Sequence, residues 1–452
     1  MKKLTVGLFN DSFPPTIDGV ANVTVNYARV IQRDLGRAIV ATPFYPGVTD
    51  DYPYEVIRYP SAYIKNEYGY RAGYPFDPVV LGDLEHEHID IIHAHCPVVS
   101  TVLGRMLRRA TGAPIVFTYH TKYDIDINNL MTSETLRKTA IKFLLNNIKA
   151  CDEVWVVSEG AGDNLRSLGY EGDCRVMRNG TDFEKRRAPD DEVQALREEY
   201  KLPPGLPVFL FVGRMMWYKG VKLSLDGLRR LKAEGQDFRF FLVGDGADRK
   251  EIEEYIGHVG LGDRCILTGA VRDREKLRAF FTLADLFLFP SECDTNGIVV
   301  SEAAACSCAS VLLKGSCAAE GVTDGTDGLV IENTVDAMQA KLRFACENRS
   351  ATRAIGEAAA RNIYLSWDDA VRTAYERYEV VLESFKARQE DEAAIRESVS
   401  GISAQFLEEL HMSREQFSEF LWNARSKMEQ LRERSSAYTH ELIDLLRWKR
   451  DK

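Results

Sequence analysis

Short apolar runs alternate with helix-length amphipathic segments along most of this chain, and that rhythm constrains the fold more than any other feature. It is the pattern of βα units laid around a parallel sheet. In the first half the strand candidates are 4–9, 38–43, 55–59, 90–95, 114–119, 153–157 and 174–178. Helical stretches such as 20–35, 99–110 and 134–149 lie between them. The rhythm breaks over 186–207, a charged stretch ending Lys201-Leu-Pro-Pro-Gly-Leu-Pro207, which reads as an interdomain linker. It restarts with 208–212, 239–243, 265–267, 286–289 and 310–313. The expectation is an α/β chain with two parallel-sheet, Rossmann-like domains, 1–185 and 208–365. A helix over 366–386 follows, and then a helical appendix over 387–452. In that appendix Ser413-Arg-Glu-Gln416 resembles a capping box. Phe417, Leu421, Ala424, Met428 and Leu431 form an apolar stripe that must pack either on the chain's own body or on another subunit, as in a homodimer.

Composition narrows the function classes. Of 452 residues, 45% are hydrophobic and 28% charged, the balance of a globular chain. No apolar run approaches the roughly 20 residues that span a bilayer, and no signal peptide is read at the start. A cytoplasmic location follows as an expectation. The net charge of −10 argues against a nucleic-acid partner. Nine cysteines occur without a CxxC pair, so reduced thiols are expected rather than a zinc site.

Two segments carry chemistry. Gly213-Arg214-Met-Met-Trp-Tyr-Lys219-Gly220 leaves a strand and opens a helix. Free backbone N–H groups and the helix dipole favour an anion there, and Arg214 and Lys219 add full charges. A diphosphate fits, although two solvated cations would look the same. The second segment is Phe289-Pro-Ser-Glu-Cys-Asp294-Thr-Asn296-Gly297-Ile298-Val-Val-Ser-Glu302. Asp294 precedes a helix start and Glu302 stands about one turn inside the helix. Carboxylates on either side of the amides of Asn296, Gly297 and Ile298 suit a ligand that combines phosphate with hydroxyls. Taken alone, the same residues also read as a loop cap and a dipole-complementing glutamate.

The ordered set of Gly-Arg…Lys-Gly, Pro-Ser and the acidic pair resembles the retaining family-four glycosyltransferases of the GT-B fold. The likeness runs over nearly all of 1–385, with further landmarks at 11–20, 90–95, 118–121, 157–159, 178–182 and 242–246. It implies that Arg214 and Lys219 neutralise the diphosphate of a nucleotide-sugar. Glu302 would bind ribose hydroxyls and Asp294 sugar hydroxyls. The Gly19 amide would meet the diphosphate from the first domain, and His120 would sit beside the transferred sugar. The 268–271 loop, ending at Val271, would hold the base edge. The family usually has Glu where Asp294 stands and an aromatic residue where Asn296 stands. The Asp-Thr-Asn-Gly run resembles a bacterial subgroup similar to diacylglycerol glucosyltransferases. The implied activity is retaining transfer of a hexose from UDP-glucose to a lipid or glycan, with the nucleotide-sugar as substrate and no cofactor. The resemblance implies a reaction that needs no metal, so none is expected. The competing readings are a sugar-nucleotide epimerase and a pseudoenzyme that works through the appendix.

Weaker signals have plainer readings. His93 and His95 share one side of a strand but have no third ligand nearby in sequence. Gly244-Asp-Gly246 reads as a turn, and the loop around Glu320 reads as either cleft lining or an ordinary loop. Arg105, Arg108 and Arg109, with Lys138, Lys142 and Lys149, would suit peripheral contact with anionic lipid, as would 445–450. Most such helix faces are simply solvated.

Overall fold

The structure is a computed structural model and describes residues 2–16, 18–63, 70–124, 127 and 133–396. The first half forms β1 (Thr5–Phe9), β2 (Arg37–Pro43), β3 (Glu55–Tyr59), a short antiparallel ribbon of β4 (Ser61–Tyr63) and β5 (Arg71–Gly73), then β6 (Ile91–Ala94), β7 (Ile115–Tyr119), β8 (Glu153–Val156) and β9 (Cys174–Val176). Apart from the ribbon these make one parallel sheet ordered β3-β2-β1-β6-β7-β8-β9. The second half forms β10 (Val208–Val212), β11 (Arg239–Val243), β12 (Cys265–Gly269), β13 (Leu286–Phe289), β14 (Ser310–Leu313) and β15 (Leu329–Ile331). Its order is β12-β11-β10-β13-β14-β15, again parallel. Strands such as Val-Phe-Leu-Phe-Val are apolar throughout because helices cover both faces.

The strand order reverses beside β1 in the first sheet and beside β10 in the second. Loops leaving the two strands at such a point diverge to opposite faces, so a crevice opens at their carboxyl ends. In the second sheet the loops after β10 and β13 flank that crevice, and both carry the charged motifs.

The ribbon and β15 escape sequence reading because runs of three residues are too short to show a period. The expected linker over 186–207 is corrected. It contains the helix Asp190–Glu199, and Ala188, Leu196, Leu202 and Leu206 join the core of the second sheet. Leu196 is the only fully buried residue of that helix, so its sequence looks like a charged tether.

Chain crossings between the sheets lie side by side. Thr181 N–H donates to Leu365 O at 2.9 Å, and Trp367 N–H donates to Thr181 O at 3.2 Å. Gly180 is required there, since a Cβ would lie 2.4 Å from Trp367 N. After the crossing, the helix Trp367–Arg396 returns to the first sheet and buries Trp367, Val371, Tyr375 and Tyr378 in its core. Arg377 pairs with Glu153 of β8 at 2.6 Å.

The chain divides into two compact units. Both sheets lie in the larger, residues 1–122 and 148–382. In the smaller, the described residues are 123–124, 127, 133–147 and 383–396, and they include most of the helix Glu134–Lys149. The apolar stripe, the Ser413 capping box and the basic 445–450 run lie outside the described residues. Among the described residues no helix is long and apolar enough to cross a membrane.

Candidate active site

The loop after β10 is held in a fixed shape. Met215 is buried, its N–H donates to Asp245 O at 2.9 Å, and its carbonyl accepts from Asp248 N–H at 3.1 Å. Asp248 Oδ2 accepts from Trp217 N–H at 2.8 Å. A single helical turn, Trp217–Lys219, then ends on Gly220, whose φ of 77° lies in the left-handed region. A Cβ on Gly220 would fall 2.1 Å from Pro290 O, so glycine lets this loop lie against the one after β13.

That approach brings Lys219 to Asp294. Lys219 Nζ donates to Asp294 Oδ2 at 2.7 Å, with both side chains largely buried. The ammonium also lies 5.4 Å from the Phe289 ring centroid and 5.5 Å from that of Tyr218, within reach of their negative faces. Arg214 is exposed, and its Nη2 donates to Tyr218 Oη at 3.3 Å.

Gly297, at φ 62°, caps the helix Ile298–Ala305. The first N–H groups of that helix have no intrahelical acceptor, and Asp294 and Asn296 stand just before them. Glu302 lies within the helix and is 13% exposed at the side chain. Burial raises its pKa, while the Arg274 guanidinium opposes that shift through a 2.9 Å bond to Oε1. Arg274 also pairs with Asp182 and stacks over Phe183, its Cζ 4.1 Å from the centroid. Arg274 was not singled out in the sequence, where Asp273-Arg-Glu275 reads as an ordinary helix start. Nothing there marks the arginine as the partner of a glutamate 28 residues later.

On the first sheet, Asp18 caps the helix Gly19–Val30, its Oδ1 accepting from Val20 and Ala21 N–H at 2.8 and 2.7 Å. Nothing lies within 4 Å of a Cβ built on Gly19, so its backbone is open on that side. His120, just beyond β7, is buried, and desolvation lowers its pKa to about 3. Its Nε2 lies 3.0 Å from His95 Nδ1. Val271 is half-buried against the edge of the second core.

The two sheets also meet directly. Ser158 Oγ accepts from Ala161 N–H at 3.0 Å and donates to Thr295 O at 2.5 Å. The carboxylate of Glu320 accepts from Glu159 and Gly160 N–H, each at 2.7 Å. The start of the helix Glu159–Ser167 is thereby satisfied from across the cleft, and the loop carrying Asp294 is tied to the first sheet. Neither contact was legible beforehand, because each joins residues more than 130 positions apart. The His93 nitrogens are both engaged, with Tyr378 Oη and Thr118 Oγ1 at 2.6 Å each. Among the described residues no three His, Cys, Asp or Glu side chains are grouped to hold a metal ion. In the basic helix of the first sheet, Arg108 is paired with Asp152 at 2.9 Å.

Residues 17–185 match the model for Glycosyltransferase Family 4, and residues 192–362 match that for Glycosyl transferases group 1. The chain belongs to the family-four glycosyltransferases of the GT-B fold. The transferase is 23% identical to an alpha-monoglucosyldiacylglycerol synthase of Streptococcus pneumoniae over 310 residues, 67% of this chain and 69% of that protein. It is also 23% identical to the synthase of the same name from Acholeplasma laidlawii, over 72% of this chain and 84% of that one. Among solved structures, Anabaena HepE in complex with UDP and glucose superposes with a TM-score of 0.63 at 19% identity, covering 84% of this chain and 100% of that one.

Proposed function

We propose that this transferase moves a glucosyl group from UDP-glucose to a diacylglycerol-type lipid, with retention at the anomeric carbon and without a metal ion. The observation that carries the reading is the pairing of Lys219 with Asp294 where the two loops meet at the switch point of the second sheet. Arg214 is bonded to Tyr218 in the same loop as Lys219, and Glu302 lies in the helix that follows the Asp294 loop.

Cleaving the bond between sugar and diphosphate leaves negative charge on the departing phosphate. Lys219, Arg214 and the N–H groups at the start of the helix Ile298–Ala305 are the groups that would carry it, a fixed electrostatic contribution made by the protein itself. Asp294 and Glu302 are each already bonded to a cation. That arrangement suits acceptors for sugar and ribose hydroxyls better than an acid and nucleophile pair. The diacylglycerol acceptor is supported by the names of the two synthases. A lipid acceptor in turn favours work at the cytoplasmic face of a membrane, with the exposed Arg109 on the first-sheet surface facing anionic headgroups.

The test is nucleotide release from a panel of UDP- and GDP-sugars, with and without vesicles containing diacylglycerol. Lys219→Ala and Glu302→Ala are run alongside. UDP release from UDP-glucose that rises with diacylglycerol and is lost in both variants is the expected result. Release from another donor, or release indifferent to lipid, would overturn the donor or acceptor assignment. Tight binding of a donor without turnover would overturn the enzymatic reading.

A further inference from the structure

Three histidine rings lie against one another at the carboxyl end of the first sheet, His95 tilted on His93 and stacked on His120. The centroids of His93 and His95 are 4.0 Å apart, and those of His95 and His120 are 5.2 Å apart. All three are buried. His93 is bonded at both nitrogens, as described above. His95 is bonded at one only. Its Nδ1 meets His120 Nε2, while its Nε2 is buried without a hydrogen-bond partner. Tyr27 lies against this ring, with centroids 5.6 Å apart. Among the described residues His120 Nδ1 has no hydrogen-bond partner, and the ring's one hydrogen bond is that of Nε2 with His95.

Burial keeps both rings of the His95–His120 pair neutral, so each carries one proton and a single proton lies between them. Two arrangements satisfy that bond. In one, His120 Nε2–H donates to a bare His95 Nδ1, which forces the His95 proton onto Nε2, where no acceptor exists. In the other, His95 Nδ1–H donates to a bare His120 Nε2, and the orphan at His95 Nε2 is only a lone pair. A buried N–H without an acceptor is the rarer and costlier of the two orphans. The second arrangement therefore wins. It leaves the remaining His120 proton on Nδ1, the nitrogen that has no partner among the described residues.

We propose that His95 is a positioning residue that fixes His120 as its Nδ1–H tautomer, so that the cleft meets a hydrogen-bond donor there and not a general base. A donor suits a hydroxyl or phosphate oxygen of the substrate, whereas a bare nitrogen would instead accept a proton. This rests on the reading of His120 as a residue beside the transferred sugar, but the first measurement needs no donor or acceptor.

The full chain is labelled with 15N-histidine, and long-range proton–nitrogen correlation near neutral pH separates protonated from bare ring nitrogens. The eight histidines are assigned with His120→Gln and His95→Asn. The expected pattern for His120 is a protonated Nδ1 and a bare Nε2. A protonated Nε2 on His120 overturns the proposal, whatever the variants do.

Two variants then test the consequence. His95→Asn keeps an amide N–H where Nδ1 stood, and His95→Phe removes the donor while keeping a flat ring. His95→Phe is expected to lower kcat roughly tenfold, the worth of one hydrogen bond, with little change in KM for the nucleotide-sugar. His95→Asn should restore most of the rate and the His120 nitrogen pattern. Equal losses in two folded variants, with the His120 pattern unchanged in His95→Phe, would overturn it. If the unmodified protein turns over no donor, the functional reading fails while the nitrogen pattern still decides the tautomer.

Discussion

Replacing His120 with Gln should flatten the acid limb of the stability curve. The buried His120 ring has its pKa pushed down to about 3 because burial strips water from the imidazolium. In the unfolded chain the same ring titrates near 6.5. Between these values the unfolded state holds a proton that the folded state does not. The ring's contribution is thus complete above the unfolded value and is lost as pH falls below it. At pH 5 the loss is about 2 kcal/mol, from about 1.4 kcal/mol per unit over roughly 1.5 units. Gln does not titrate, and its amide reaches the place of Nε2 beside His95. His93 and His95 are depressed chiefly by burial, which is common to both proteins and cancels. The smaller push they receive from His120 is lost in the variant, which flattens the acid limb in the same direction. The assay is urea unfolding of both proteins at about pH 7, 6 and 5. Whatever the difference between them at neutral pH, the wild-type advantage should shrink by about 2 kcal/mol by pH 5. A difference that stays constant would mean that His120 takes up its proton alike in folded and unfolded chains, and the desolvation argument would be refuted.

Three further outcomes follow from the site and its supports. Gly220→Ala places a methyl group 2.1 Å from Pro290 O at a positive φ, so the two loops must part; nucleotide release should fall roughly 100-fold while the protein stays folded by circular dichroism. Arg274→Leu leaves the buried Glu302 without its cation, which drives the carboxyl pKa further upward. The donor KM should rise about tenfold, and the acid limb of the rate profile should move to higher pH. Burial raises the pKa of Glu153, but its bonds to Arg377 and Trp155 outweigh burial and leave it below 4.5. Its contribution is therefore present above that value and lost as pH falls through the lower folded one. Glu153→Gln should cost about 2 kcal/mol at neutral pH and progressively less under acid unfolding.

Strand runs that are apolar for four or more residues were legible in the sequence. β3, β10, β11, β13 and β14 begin and end where the sequence places them, and β10 and β13 are apolar from end to end because a strand covered on both faces tolerates no polar interruption. The three-residue strands β4, β5 and β15 left no period to read. The helix Asp190–Glu199 was hidden for the opposite reason, since a helix resting on Leu196 alone is charged nearly all round. At the site, Gly213–Gly220 and Asp294–Glu302 were visible because each motif is local. Arg274 was not singled out, and the partners of Asp182, Ser158 and Glu320 were not readable, because those contacts exist only once distant segments meet. The same limit applies to His95, whose meaning depends on a neighbour at the end of the next strand and on a buried Nε2 without a partner.

The charges of the site are already spent on one another, which bears on how a donor would bind. Lys219 is bonded to Asp294 and Glu302 to Arg274. A diphosphate reaching Lys219 must share the ammonium with Asp294, and two anions on one cation repel each other at short range. The repulsion is relieved if Asp294 turns toward a neutral hydroxyl of the sugar, because the carboxylate then exchanges one donor for another instead of losing one. The sugar would thus be detected through the phosphate. A free nucleoside diphosphate offers no such hydroxyl and leaves Asp294 crowded against its charge. On this argument Asp294→Asn should tighten the binding of UDP, since it removes the repulsion, while weakening discrimination between UDP and UDP-glucose. Calorimetry with both ligands reads the two effects separately. If Asp294→Asn bound UDP more weakly, the carboxylate would be acting as a support for Lys219 rather than as a competitor for it.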